Sequence, residues 1–221
     1  MKKTLLWLVA GALLVFVAVK AMPQKEAEQN DEETKTEQAE VEMKEGAVAL
    51  PDEAEYTLDL EKSSMGWESS KKVGGEHAGK VLLKEGSLIV EGGELASGSF
   101  TIDMDSISDN DGSAGLVKHL KNADFFDVAK YKTSQFEVST AERNEDGTYK
   151  VTGELTILDQ TNEITFDLLF VEAAEGLHAT AAFSIDRTKW GIDYSSGSVF
   201  EQLGDKAIRD DIGFTLDLFL K

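Results

Sequence analysis

The 221-residue chain has no cysteine and only three histidines. Without a thiol it can form no disulfide, carry no lipidated Cys and present no Cys nucleophile, so its stability rests on a packed core. The histidines, His77, His119 and His178, lie far apart in sequence, and none has metal-ligand spacing to another. Positive charge is scarce too: 22 Lys and Arg face 42 Asp and Glu, a net charge of −20. Broad electrostatic binding to nucleic acid or to anionic headgroups is thereby excluded, because polyanions need a positive surface. The chain also lacks a Gly-x-Ser-x-Gly elbow and a phosphate-binding glycine loop. The segment DMDSISDNDG looks calcium-binding at first, but counting back from Gly112 puts Ile107 at the first ligand position and Lys118 at the last. These absences lead to the expectation of a binding protein with no catalytic residues, no metal and no cofactor.

A long hydrophobic run is missing as well. The apolar stretch Leu5–Val19 has 15 residues, behind Lys2 and Lys3, and falls short of the roughly 20 that span a bilayer as a straight helix. Residues 1–21 therefore read as an export segment. Val19 and Ala21 place small residues for cleavage before Met22, while Lys20 between them makes the site imperfect, so the segment reads as a signal peptide or as a retained membrane anchor. The expected location is periplasmic or otherwise extracytoplasmic, with membrane contact through this segment where it is retained.

From Met22 to Glu55, Lys25, Lys35 and Lys44 stand against 12 acidic residues. Such a segment buries too little apolar surface to offset its ordering entropy, so 22–55 reads as a disordered, flexible acidic linker. Residues 56–221 hold 16 basic and 30 acidic residues and are long enough for one well-filled domain.

What this domain has in abundance is alternation. Phe100, Ile102 and Met104 alternate with polar residues, and so do Phe136 and Val138. The same holds for Val151, Leu155 and Ile157, and for Ile164, Phe166, Leu168 and Phe170. Leu177, Ala179, Ala181, Phe183 and Ile185 form a further run, and Ile212, Phe214, Leu216 and Leu218 the last. Period two marks strands with one buried face. Two shorter strands, around Lys80–Leu83 and Ser87–Glu91, are expected to meet at a turn through Glu85-Gly86. Turn signals at Glu145-Asp146-Gly147 and Glu175-Gly176 separate consecutive runs, as in an antiparallel meander. Gly115–Phe126 breaks the pattern with helical spacing of Leu116, Leu120 and Phe126, which predicts one short helix. About eight strands close into a barrel or stack as a sandwich; periodicity alone does not separate the two.

The interval HLKNADFFDVAKY, followed by SQFEVST, then VTGELTI at Val151–Ile157 and FSIDRTKWGI at Phe183–Ile192, resembles the YceI family. TLDLEKSSMGWESSKKVGGEHAGKV is similar to that family's opening strand and turn. Departures fall at turns, where Leu158-Asp159 replaces a frequent His-Gly and Lys132 stands where Pro is common. The resemblance implies an all-β, lipocalin-like antiparallel barrel that binds polyisoprenoid or quinone-like lipid in its interior, in an exported bacterial protein.

A site for an isoprenoid needs a long apolar lining and few polar groups. The expected lining is Phe100, Ile102, Met104, Phe136, Val138, Leu155, Ile157, Phe166, Leu168, Phe183, Ile185, Phe214 and Leu216; rings and the pliable Met side chain adapt to such a chain. The same residues would equally fill a solid core. Headgroup candidates are Trp67, Lys72, His77, Arg187 and Trp190, near strand ends. Arg187 would pair with a phosphate or a quinone oxygen, or form a structural ion pair with Asp186 and stack on a Trp. The competing expectation is a solid-cored barrel that binds another envelope protein through its acidic surface, the partner itself being unspecified by the sequence.

Overall fold

The computed structural model describes residues 44–221. The expected export segment and the part of the expected linker up to residue 43 lie outside them. Nine strands follow in chain order: β1 Glu53–Thr57, β2 Ser64–Ser70, β3 Glu76–Glu91, β4 Glu94–Asp109, β5 Thr133–Arg143, β6 Tyr149–Ile157, β7 Gln160–Glu172, β8 Leu177–Asp186 and β9 Asp211–Leu220. One helix, α1 Ala114–Leu120, sits between β4 and β5. Strands β2 to β9 each pair antiparallel with the next, and β9 returns to β2, with Phe214 opposite Trp67. The sheet is thus a closed eight-stranded barrel, not a sandwich, and closure leaves no long edge among these strands. The ninth strand, β1, lies beside the later half of β3, with Glu53 opposite Glu91, where β2 no longer reaches.

Two sequence expectations change here. The pair of short strands around Glu85-Gly86 is one 16-residue strand, β3. Its register against β4 slips between Lys80 and Leu82 and again between Leu83 and Glu85, so the turn signal marks bulges and not a reversal. Buried positions switch from Val81 to Leu88 and Val90, which is why no clean alternation was visible. The helix is also shorter than its periodicity predicts. It is capped by Ser113, whose hydroxyl accepts from the Leu116 N–H, and ends at Leu120; Phe125 and Phe126 follow on turns.

The barrel's packing begins before residue 56. Among the residues assigned to the linker, the Lys44 N–H donates to the Asp146 carbonyl (2.8 Å) and the Val48 N–H to the Phe170 carbonyl (3.0 Å), and Leu50 is buried in the main core. The run Ala47-Val48-Ala49-Leu50 supplies apolar surface that the acidic average over 22–55 conceals. Leu50 joins Leu88, Val90, Tyr149, Phe170, Leu177 and Leu220 in one cluster. At the opposite end, where β3 starts and β4 stops, α1, the Phe125-Phe126 turn and residues 187–208 connect the strands.

Candidate functional site

The inward faces enclose a cavity of about 140 Å³. Every barrel strand contributes to the wall. All the expected apolar lining residues border it except Ile185, which is buried in the core cluster but does not reach the cavity.

Phenylalanines dominate the middle of the wall. Phe136, Phe166, Phe183 and Phe214, from β5, β7, β8 and β9, form a ladder with ring centroids 5.5, 4.5 and 5.6 Å apart. Phe100 on β4 stands opposite Phe136 in register, and Trp67 on β2 opposite Phe214, so the belt extends round the barrel at both ends. Two glycines make room for it: a Cβ on Gly86 would come within 2.5 Å of the Phe100 ring, and one on Gly153 within 2.5 Å of the Phe136 ring. Offset and tilted rings give this belt an apolar surface that is adjustable in shape.

The polar candidates separate sharply. Trp67 borders the cavity, and its Nε1–H donates to the Ser108 carbonyl (3.1 Å). Arg187 also borders it but is 1 % exposed, with every N–H committed. Its Nε donates to the Arg209 carbonyl, Nη1 to those of Ile192 and Tyr194, and Nη2 to the Ile208 carbonyl and the Asp210 carboxylate. Five donors meet five acceptors, which leaves none for a headgroup. Burial pulls the guanidinium pKa down, opposed by Asp210, Asp186 and Asp193. Although burial raises the Asp210 carboxyl, hydrogen bonds from Ser198 and Ser196 and the charge of Arg187 hold it below the usual carboxylate value.

Arg187's ion-pair partner is Asp210 (3.2 Å), not Asp186, whose carboxylate instead caps the short 3-10 helix Arg187–Trp190 through Thr188. Trp190 is likewise structural: it is buried, and its Nε1–H donates to the Leu155 carbonyl (2.9 Å). Lys72 is exposed away from the cavity, and His77 lies on β3, opposite Ser69 of β2 and beside Asp109.

Several wall residues lay outside the expected set. Leu120, Phe125, Phe126 and Ile208 come from the connections at one end, where no strand period exists to flag them. Met65, Val81 and Leu83 come from short or bulged strands whose alternation is broken. Ser69 and Ser134 are small polar members of an otherwise apolar wall.

A closed eight-stranded barrel with an apolar interior is the architecture that the resemblance implies. The family model for the YceI-like domain matches residues 56–220. The chain belongs to the YceI family. A relative, a UPF0312 protein of Vibrio cholerae serotype O1, is 27% identical over 55% of this chain and 66% of its own length. A second UPF0312 protein, from Ectopseudomonas mendocina, is 31% identical over 35% of this chain and 40% of its own. Among solved structures, BcnA of Burkholderia cenocepacia superposes with a TM-score of 0.55 at 20% identity, covering 74% of this chain and 99% of that one. A polyisoprenoid binding domain from Saccharophagus degradans superposes with a TM-score of 0.56 at 14% identity, covering 75% and 97%. At these identities both show the barrel fold alone.

Proposed function

We propose that this protein holds an apolar isoprenoid-type lipid, polyprenyl or quinone-like, inside its barrel, outside the bacterial cytoplasm. The observation that carries this is the cavity itself: a void walled by phenylalanines and aliphatics from all eight barrel strands, with its one buried cation fully satisfied by the protein. A charged ligand finds no free buried counter-charge along that wall, where Ser69 and Ser134 are small polar members, whereas a hydrocarbon needs none. The polyisoprenoid binding domain from Saccharophagus degradans, which shares the fold, supports the same ligand class.

The size of the void sets how binding proceeds. A dry apolar cavity of roughly 150 Å³ accommodates one benzene-sized molecule. At about 140 Å³ this barrel takes a single five-carbon unit as it stands, and a longer chain enters by displacing Phe rings and Met104. Burial contributes about 0.8 kcal/mol per methylene, so two such units bring roughly 8 kcal/mol before ordering costs, the scale of a micromolar complex. A barrel serving only as an acidic docking module needs no void, and an enzyme needs a reactive group at the cavity. His119, the histidine in the HLKNADFF segment, is instead engaged by Asp124 (3.1 Å) and packed against Phe125 and Tyr194.

The test is to purify the chain from its native envelope, extract it with organic solvent, and identify lipids by mass spectrometry, alongside titration with polyprenyl and quinone ligands. One co-purifying isoprenoid lipid and saturable binding are expected. A protein that yields no lipid and binds neither ligand has a different function. Fractionation of the same cells reads the location, expected to be periplasmic and either soluble or attached to the inner membrane.

A further inference from the structure

The sequence places no metal in this protein, yet three side chains converge where the strands bearing Trp67 and Ile107 end. β3 starts at Glu76 and β4 stops at Asp109, and Gly79 of β3 pairs with both Trp67 and Asp109. The Asn110 N–H donates to the Ala78 carbonyl (2.8 Å), and the Gly112 N–H closes the turn onto the Asp109 carbonyl (3.1 Å). The turn Asp109-Asn110-Asp111-Gly112 is thereby folded against His77. One ligating atom each from His77, Asp109 and Asp111 lies within 4.8 Å of the others.

We infer that His77, Asp109 and Asp111 form a binding site for a divalent transition-metal cation such as zinc. Their bonding state points to a ligand. The Asp109 carboxylate is completely buried (0 % of its side chain exposed), and its Oδ2 accepts from the Ser113 N–H (2.8 Å). Its Oδ1 accepts from nothing and faces His77 Nδ1 at 3.8 Å, and that nitrogen is also buried without a partner. Two facing buried atoms, both unsatisfied, are a costly arrangement that native proteins rarely leave unexplained. The separation is too long for a hydrogen bond and close to the span of two bonds to a shared ion.

The other histidines behave differently: His119 meets Asp124 at 3.1 Å, and His178 is in direct contact with Asp217. Only His77 is held apart from its carboxylate. Zinc bonds to imidazole nitrogen and carboxylate oxygen are ~2.0–2.2 Å, so an ion between His77 and Asp109 requires each to close by a few tenths of an ångström. Asp111 is exposed on the turn and supplies the third donor by swinging inward. One imidazole with two carboxylates suits zinc or a neighbouring first-row cation better than magnesium or calcium, which take oxygen ligands alone. The site does not use the calcium-loop pattern of DMDSISDNDG; it takes two aspartates from that segment and its nitrogen from another strand.

The test uses the untagged full chain, stripped with a chelator and titrated calorimetrically with zinc alone, with cobalt absorption as a second readout. One equivalent should bind with micromolar or tighter affinity. His77→Ala and Asp109→Asn should each weaken binding by at least tenfold, whereas His119→Ala and His178→Ala should leave it unchanged. Because Asp109→Asn also disturbs the bond to Ser113, Asp111→Asn on the exposed turn serves as the variant that keeps the fold, verified by circular dichroism, and should weaken zinc severalfold. Absence of saturable binding, or affinity that survives His77→Ala, overturns the site.

Discussion

Phe166 and Phe183 lie face to face inside the barrel, ring centroids 4.5 Å apart and planes inclined by 15°. They are the centre of the Phe136–Phe166–Phe183–Phe214 ladder, and Leu216 borders the cavity two residues beyond its last ring. Substituting Leu216→Trp puts an indole where the void is. Overpacking in a filled core costs about 1–3 kcal/mol, and less beside a void. The expected result is a folded barrel whose affinity for a polyprenyl ligand falls at least tenfold, measured by fluorescence titration together with urea unfolding. Unchanged lipid affinity in a well-folded Leu216→Trp protein would move the ligand off this cavity.

Arg187 makes the opposite prediction. Removing its guanidinium orphans four backbone carbonyls and leaves the Asp210 carboxylate without its ion-pair partner, so Arg187→Met should cost about 3–5 kcal/mol in stability. Arg187→Lys keeps the charge but has three donors for five acceptors and should lie between. Lipid affinity of the folded Arg187→Lys protein should equal the wild type; a loss of affinity at full folding would put the guanidinium on the ligand after all. The pair has a pH signature. Asp210 has a depressed folded pKa, so its contribution is fully present above the ordinary carboxylate value of about 4 and is lost as pH falls through the lower folded value. Asp210→Asn should therefore lose stability at neutral pH and show a smaller acid-dependent decline in that window.

The sequence was most legible where strands run regularly. Phe183, Leu216 and Leu218 could be assigned an inward face because nothing interrupts β8 or β9, and opposite residues in a two-residue period share one environment. Legibility failed where a bulge changes the parity, as between Val81 and Leu88, and where a short apolar run such as Ala47–Leu50 sits inside an acidic stretch. Arg187 and Trp190 occupy a motif that resembles the family's, but their partners are carbonyls of Ile192, Ile208 and Leu155, which depend on tertiary structure and carry no side-chain signature. His77 and Asp109 meet for the same reason: the pairing of β3 with β4, not their sequence separation, brings them together.

One departure from the family pattern has a measurable cost. Leu158 and Asp159 form the two-residue turn between β6 and β7, with Ile157 opposite Gln160 and φ values of +53° and +58°. Positive φ at both positions is the backbone that favours Asn and Gly, and a side chain there is strained. Leu158 packs against the core, so the simpler site to relax is Asp159. Asp159→Gly should stabilise the protein by about 0.5–1 kcal/mol, which raises Tm by roughly 1–4 °C for a domain of this size. A lower Tm would show that the aspartate makes a compensating interaction that outweighs the backbone strain.

Tyr149 offers the last test, at the end of the barrel away from the connections. It is completely buried, packs edge-on against Phe170 with ring centroids 5.5 Å apart, and its hydroxyl has no hydrogen-bond partner. Burial raises its pKa, with the charge of Glu94 adding to the effect and Arg143 opposing it, so the phenol stays neutral across the physiological range. A neutral buried hydroxyl without a partner costs about 1–3 kcal/mol of desolvation, and replacing it with hydrogen removes that cost while keeping the ring. Tyr149→Phe should therefore leave the fold and lipid affinity unchanged and raise unfolding free energy by about 1 kcal/mol in urea titration, the small gap left by the oxygen offsetting part of the gain. A clear destabilisation would mean that an ordered water completes this site and that Tyr149 belongs to a buried polar network.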